Sequence, residues 1–260
     1  MNGADLYAEW TGAGPGLLFL HAGVADSRMW DSEFDSFSDR FRVARFDTRG
    51  FGRSPMPSGS FAYHDDVAEV AREAGLGRAT LIGCSFGANI AVDTCLAHPE
   101  LVERLVLVAP GLVGGDDDEA MRRFGEEEEA ALERGDLEGA TELNLRMWVD
   151  GPRRAPGQVD AAVRERVRVM QRDAFAVEMP ESVARVRLDP PASERLGEIR
   201  VPTLVVVGAL DVPFILAATD RVQREVPGAQ RFVIPDAAHM VTMERPAEFQ
   251  RLLEDFLRSS

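Results

Sequence analysis

The sequence predicts an α/β fold with a mostly parallel central sheet. Three observations predict it. Short runs rich in Val, Leu and Ile alternate with helix-like stretches. Those runs are apolar at consecutive positions, as strands covered on both faces are. With 260 residues, 45% of them hydrophobic and 28% charged, the chain is also long and apolar enough to bury a sizeable core.

Strands are expected over residues 17–21, 42–47, 79–84, 105–109, 202–208 and 231–235. Helices are expected over 29–39, 63–74, 86–98 and 246–257. The last carries Phe249, Leu252, Leu253, Phe256 and Leu257 at i, i+3, i+4, i+7 and i+8, one apolar stripe. The glycine-rich stretch 12–16 precedes a strand, whereas a dinucleotide-binding loop follows one, so it reads as a turn. After Pro110 the alternation stops, and from 111 to about 195 no strand is evident. Helical candidates there are 118–134, 137–147 and 158–175. The expected organisation is a sheet core over 1–110 and 196–260, interrupted by a helical cap over 111–195. Within that insertion, residues 116–142 carry twelve acids against three arginines, which reads as a solvated helix face.

Composition excludes several functions. All 29 basic residues are arginine, and the absence of lysine removes lysine Schiff-base chemistry and the P-loop lysine. A net charge of −15 argues against nucleic acid and anionic membranes as partners. Cys84 and Cys95 cannot make a disulfide framework. If both lay along one helix they would sit roughly 16 Å apart, so reduced thiols in a cytoplasmic protein are expected. Residues 1–10 lack the order of a signal peptide, and no apolar run approaches the roughly 18 residues of a membrane span.

The strongest chemical signal is Gly83-Cys84-Ser85-Phe86-Gly87, a G-x-S-x-G between an expected strand and an expected helix. A tight strand-to-helix turn lifts a serine hydroxyl clear of a sheet, and flanking glycines leave room for the backbone. The helix start brings amide N–H groups and a positive dipole end to the oxygen that becomes anionic. A serine nucleophile needs a base. Of four histidines, His21 ends the first expected strand, His64 precedes two acids and reads as solvated, and His98 reads as a helix-end residue. His239 follows the strand at 231–235 and precedes the last helix, at the carboxyl end of a strand, where open α/β sheets place their sites. Asp211 follows the strand at 202–208 and would accept the Nδ1 proton of His239. Asp236 is the rival acid, but its three-residue spacing from His239 suits a turn better.

Four blocks together carry a family resemblance: His21-Ala22-Gly23, the stretch Asp47-Thr48-Arg49-Gly50-Phe51-Gly52-Arg53-Ser54, the serine turn, and Asp211 with His239. The chain resembles the α/β-hydrolase superfamily nearly end to end, in its serine-nucleophile branch. Ser85, Asp211 and His239 follow the chain order of that family's nucleophile, acid and base. The resemblance implies that the backbone N–H groups of Gly23 and Phe86 form the oxyanion hole, with Val24 the alternative to Gly23, because this chain has His21-Ala22 where the family usually has His-Gly. It implies a structural role for the stretch 47–54. The segment 21–30 and the cap resemble small esterases and lactonases such as 3-oxoadipate enol-lactonase, and related carbon–carbon bond hydrolases. A serine at 85 sets the chain apart from family members that use aspartate.

The implied activity is cofactor-free hydrolysis of a carboxylic ester or lactone through an acyl-enzyme. Alternatives on the same three residues are a carbon–carbon bond hydrolase, a thioesterase or a biosynthetic cyclase. A non-catalytic ligand-binding protein of the same fold is the alternative from another class. No metal-binding motif occurs, and neither metal nor cofactor is expected. The expected partner is a small acyl substrate, small to medium and mainly apolar. Val24, Met147, Trp148, Leu210, Phe214 and Met240, together with Phe86, are the expected pocket lining, although Met147 and Trp148 could equally pack the cap on the core. The sequence does not fix an oligomeric state.

Overall fold

The computed structural model describes residues 5–112 and 119–258. Its centre is a seven-stranded sheet in the order β1-β3-β2-β5-β6-β8-β9. These strands are β1 (Ala8–Thr11), β2 (Gly16–Leu20), β3 (Arg42–Phe46), β5 (Ala79–Cys84), β6 (Val102–Val108), β8 (Thr203–Gly208) and β9 (Gln230–Ile234). β1 runs antiparallel to β3, and every other pairing is parallel. All six expected strands are present within a few residues of their expected ends. β2, β5 and β8 are buried at every position, which is why their sequences are apolar without alternation.

Alternate strand residues feed two cores. Leu18 and Leu20 pack with Val67, Val70 and Ala71 of α2 (Tyr63–Glu73), with Ile90 and Cys95 of α3 (Phe86–Ala97), and with Val222 of α7 (Pro213–Glu225). Leu17 and Phe19 pack on the opposite face with Phe37 of α1 (Asp31–Phe37) and with Phe249, Leu253 and Phe256 of α9 (Pro246–Arg258). The last expected stripe is thus the buried face of α9, with Leu252 and Leu257 partly buried at its margin. The turn at 12–16 precedes β2 as expected.

Three elements escape the sequence pattern. β1 is an edge strand of four half-exposed or exposed residues. α7 follows Asp211; its Pro213 at the first turn and its buried Ile215, Ala218, Thr219 and Val222 are a helical signature the expectation passed over. A second, two-stranded sheet joins β4 (Gly59–Phe61) to β7 (Val183–Arg185), within the stretch where no strand was evident. Each of these strands has three residues, and each owes its existence to a partner more than a hundred positions away.

The insertion between β6 and β8 consists of α4 (Glu119–Glu133), α5 (Leu137–Asn144), a π-helical turn over Leu145–Asp150, and α6 (Ala161–Phe175). The expected helix at 118–134 begins at a residue outside the described ones. From Val183 onward the chain packs on the α2–α3 side of the sheet, through Val183, Leu188, Ala192 and Leu196, rather than within the helical layer. The acidic stretch is only partly a solvated face. Glu126, Glu127 and Glu129 are exposed, but Glu142 pairs with Arg164 at 2.6 Å and Arg168 at 2.8 Å of α6, and Glu138 pairs with Arg168. Arg164 also holds the buried Asp150 at 3.0 Å. Further pairs tie the layer to the core: Arg28 to Asp173 at 2.6 Å, Arg166 to Asp31, and Arg154 to Glu244 of α8 (Val241–Glu244) at 2.6 Å.

Candidate active site

Because the central strands are parallel, their carboxyl ends share one edge of the sheet, and the loops leaving β2, β5, β8 and β9 meet there. Ser85 stands immediately after β5, at φ 53° and ψ −111°. It is one of two non-glycine residues with positive φ among those described, Ala109 being the other, so a side chain is held here in a backbone region that L-residues avoid. The turn is locked by its neighbours: Ser85 N–H donates to Val108 O at 2.8 Å, and Asn89 N–H to Ser85 O at 3.1 Å. A Cβ at Gly83 would lie within 3.0 Å of the backbone of Gly87 and Ala88, and one at Gly87 within 3.0 Å of the backbone of Leu20 and His21. The two glycines of G-x-S-x-G are therefore required by close backbone approach.

Asp211 and His239 converge from the loops after β8 and β9. His239 Nδ1–H donates to Asp211 Oδ2 at 2.9 Å, and Val212 N–H donates to Asp211 Oδ1 at 2.7 Å. Each residue is 1% exposed. With Nδ1 committed to the carboxylate, Nε2 is the nitrogen left for the cavity. Ser85 and His239 line the same cavity, of about 350 Å³. No hydrogen bond joins their side chains among the described residues; such bonds are commonly long in free enzymes and tighten around substrate. The rival Asp236 is 79% exposed and lies 3.8 Å from Arg245, away from the site.

Gly23, Val24 and Phe86 also line the cavity. None of their backbone N–H groups makes a hydrogen bond among the described residues, so all three are available to a ligand oxygen. Ala22 is not among the positive-φ residues, so the alanine in place of the usual glycine introduces no left-handed strain. His21 is a fixed strut beneath this loop. Thr48 N–H donates to its Nε2 at 2.9 Å, and its Nδ1–H donates to Ala22 O at 2.8 Å. Burial lowers the pKa of this ring, which favours the neutral form that both bonds require. The stretch 47–54 is bound into the same support. Asp47 accepts from Ser27 N–H at 2.8 Å and Arg53 N–H at 2.9 Å, and Arg49 forms a buried pair with Asp66 at 2.6 Å. Two of its residues, Gly50 and Phe51, reach the cavity as well.

Three of the seven residues expected to line the pocket lie on this cavity. Val24, Phe86 and Trp148 line the cavity, and the Trp148 ring lies 4.6 Å from that of His239. Met147 does not. Adjacent residues of a helical turn point about 100° apart, and Met147 lines an outer groove with Phe124, Leu143 and Phe214 instead. Phe214, at the start of α7, is thereby also excluded. Met240 is 0% exposed and belongs to the core between sheet and α9. Leu210 is held in the turn after β8, its N–H donating to Ala237 O at 2.9 Å, and is not part of the lining.

The sequence reading missed Glu128, Asn144, Gln171, Ala174 and Phe175, all supplied by the cap helices. A signal for two of them exists. Gln171 falls on the stripe of Val167, Met170 and Ala174 in α6, and Asn144 shares the buried face of α5 with Ala140 and Thr141. Polar residues on buried stripes call for a reason. Glu128 had no such mark within its run of four glutamates.

Cys84 and Cys95 are buried and unpaired, one ending β5 and the other within α3, so they do not share the single helix assumed in estimating their separation. Burial, with Asp211 nearby, pushes the Cys84 thiol up, and burial pushes Cys95 to about 11; neither is poised as a nucleophile. Among the described residues, those able to hold a metal ion lie elsewhere. His64, Asp65 and His98 offer ligand atoms within 4.8 Å of one another. His64, expected to be solvated, is half-buried with its ring 5.8 Å from that of His98, which caps α3 as expected. No helix among the described residues is long and apolar enough to cross a membrane.

Comparison with known proteins agrees with this fold. The pimeloyl-[acyl-carrier protein] methyl ester esterase of Nitrosomonas europaea is 27% identical over 254 residues, covering 95% of this chain and 97% of that protein. The 2-hydroxy-6-oxononadienedioate/2-hydroxy-6-oxononatrienedioate hydrolase of Burkholderia vietnamiensis is 27% identical, covering 99% and 93%. Among solved structures, a thermophilic esterase from Thermogutta terrifontis superposes with a TM-score of 0.79 at 26% identity, covering 98% of this chain and 93% of that one. The sequence model of the family described as alpha/beta hydrolase fold matches residues 15–246, nearly the whole chain, and the protein belongs to that family.

Proposed function

We propose that the protein is a cofactor-free serine hydrolase that cleaves a small carboxylic ester through an acyl-enzyme. The observation that carries this reading is the placement of Ser85: a strained, glycine-flanked serine opens into the cavity that also receives a histidine oriented by a buried carboxylate. In this reading Ser85 Oγ attacks the ester carbonyl while His239 Nε2 takes its proton. Asp211 keeps the Nδ1 proton in place and stabilises the imidazolium. The N–H of Phe86, with that of Gly23 or alternatively Val24, receives the oxyanion, each such donor being worth about 3–4 kcal/mol in the transition state. His239 then gives its proton to the leaving alkoxide, and a water molecule repeats the sequence on the acyl-enzyme.

The cavity volume sits near the lower end of ligand sites, roughly 300–1,000 Å³, which favours a compact substrate. Lactones are cyclic esters and fit the same chemistry. A cytoplasmic location is consistent with two buried, unpaired cysteines.

The test is labelling with a serine-directed phosphonate, followed by turnover of nitrophenyl esters, thioesters and lactones. The native chain should be labelled at Ser85 and should turn over at least one ester class. Ser85→Ala should lose both, turnover falling by several orders of magnitude. Labelling of the alanine variant at an equal rate would overturn the reading.

A further inference from the structure

The cavity carries polar side chains that a simple acyl pocket does not need. Glu128 of α4, Asn144 of α5 and Gln171 of α6 all line it. Asn144 Nδ2 donates to Glu128 Oε1 and to Ala140 O at 3.0 Å, which fixes the carboxylate and the amide to one another. Gln171 is 4% exposed, and its Oε1 has no hydrogen-bond partner. A buried carbonyl left without a donor is destabilising, and a ligand that brings a donor removes that cost. Glu128 adds a second acceptor, one whose chemistry does not depend on how an amide is turned. Among the described residues no arginine lines the cavity, although the chain has 29 basic residues. Two arginines of the cap are held in ion pairs instead, Arg164 with Glu142 and Asp150, and Arg168 with Glu138 and Glu142. Among the described residues, the one formal charge the cap adds to this cavity is therefore negative.

We propose that the substrate carries a hydrogen-bond donor, a hydroxyl or an ammonium group, away from its scissile bond, that Gln171 and Glu128 receive this donor, and that substrates with a free carboxylate there are rejected. The inference rests on the hydrolase reading of Ser85 and deepens it. It also separates this chain from relatives named for dicarboxylate substrates, such as the nonadienedioate hydrolase, because a second carboxylate would meet Glu128 with no cation to balance it.

The experiment uses nitrophenyl esters of one chain length ending in methyl, hydroxyl, ammonium or carboxylate. For the native chain, kcat/KM for the hydroxyl and ammonium esters should exceed that of the methyl ester by about tenfold, with the carboxylate ester lowest. Two variants separate the donors. Glu128→Gln should abolish the ammonium advantage and keep the hydroxyl one. Gln171→Met, of similar volume, should lower the ratio of both the hydroxyl and the ammonium ester to the methyl ester. Equal or better turnover of the methyl ester by the native chain, or ratios untouched by both variants, would overturn the proposal. Failure of the hydrolase reading shows differently, as absence of turnover for every ester. The tail preference is then read as dissociation constants of the matching amides on the Ser85→Ala variant, followed by the change in tryptophan fluorescence. The same ordering supports the polar site, and a methyl preference refutes it.

Discussion

Asp211→Asn perturbs the site with least change of shape, and the structure says how it should fail. Both carboxylate oxygens are in use: Oδ1 accepts from Val212 N–H at 2.7 Å and Oδ2 from His239 Nδ1–H at 2.9 Å. Asparagine offers one acceptor for these two donors. If its oxygen faces His239, its NH2 confronts the buried Val212 amide, an unsatisfied contact costing about 1–3 kcal/mol. If its oxygen faces Val212, its NH2 confronts Nδ1, and the ring must carry its proton on Nε2, where it cannot accept one from Ser85. The second arrangement leaves the backbone satisfied and is expected to dominate. Locking the wrong tautomer in a serine triad lowers kcat by about 10⁴, or about 5.5 kcal/mol of transition-state stabilisation. The melting temperature should move little, while the rate of phosphonate labelling at Ser85 and the turnover of the best ester both collapse. Asp236→Asn, at an exposed position, is the control and should change neither. An Asp211→Asn protein that keeps more than about a tenth of native turnover would refute the role assigned to Asp211.

Other outcomes follow from the packing. Glu33 on α1 is fully buried, with Oε2 unpartnered and Oε1 accepting from Gln250 at 3.2 Å, and burial raises its carboxyl to about 7. The folded state therefore holds this proton more tightly than the unfolded chain. Stability from this group is fully present below about 4.5 and is lost as pH rises through about 7, by at most about 3 kcal/mol. Calorimetry should show the native chain falling behind Glu33→Gln between pH 5 and pH 8, and parallel curves would count against it. Arg49→Met should cost about 3–5 kcal/mol by stranding the Asp66 carboxylate, whereas adding Asp66→Leu should restore much of that loss in urea unfolding. Phe249→Ala, beneath the Trp30 ring at 6.1 Å, should cost about 3–5 kcal/mol in the same assay without changing the labelling rate of Ser85 per folded molecule.

The sequence by itself determined the sheet and marked Ser85, Asp211 and His239 as the candidates for its chemistry. Strands such as β5 and β8 are buried on both faces, so burial is written as uninterrupted apolar runs, and the helix stripe of α9 is written at i, i+3 and i+4. Backbone crowding at Gly83 and Gly87 leaves no choice of residue, so the serine turn is written locally as well. In each case the constraint acts between neighbours in the chain. The tertiary structure alone decided what surrounds Ser85. β4 and β7 exist because distant segments pair, Met147 and Trp148 part company because a π-helical turn sends them to different sides, and Glu128, Asn144 and Gln171 become one polar surface because three helices are packed together. A cavity is a property of the packing between elements, and the pattern within any one element records only that a face is covered.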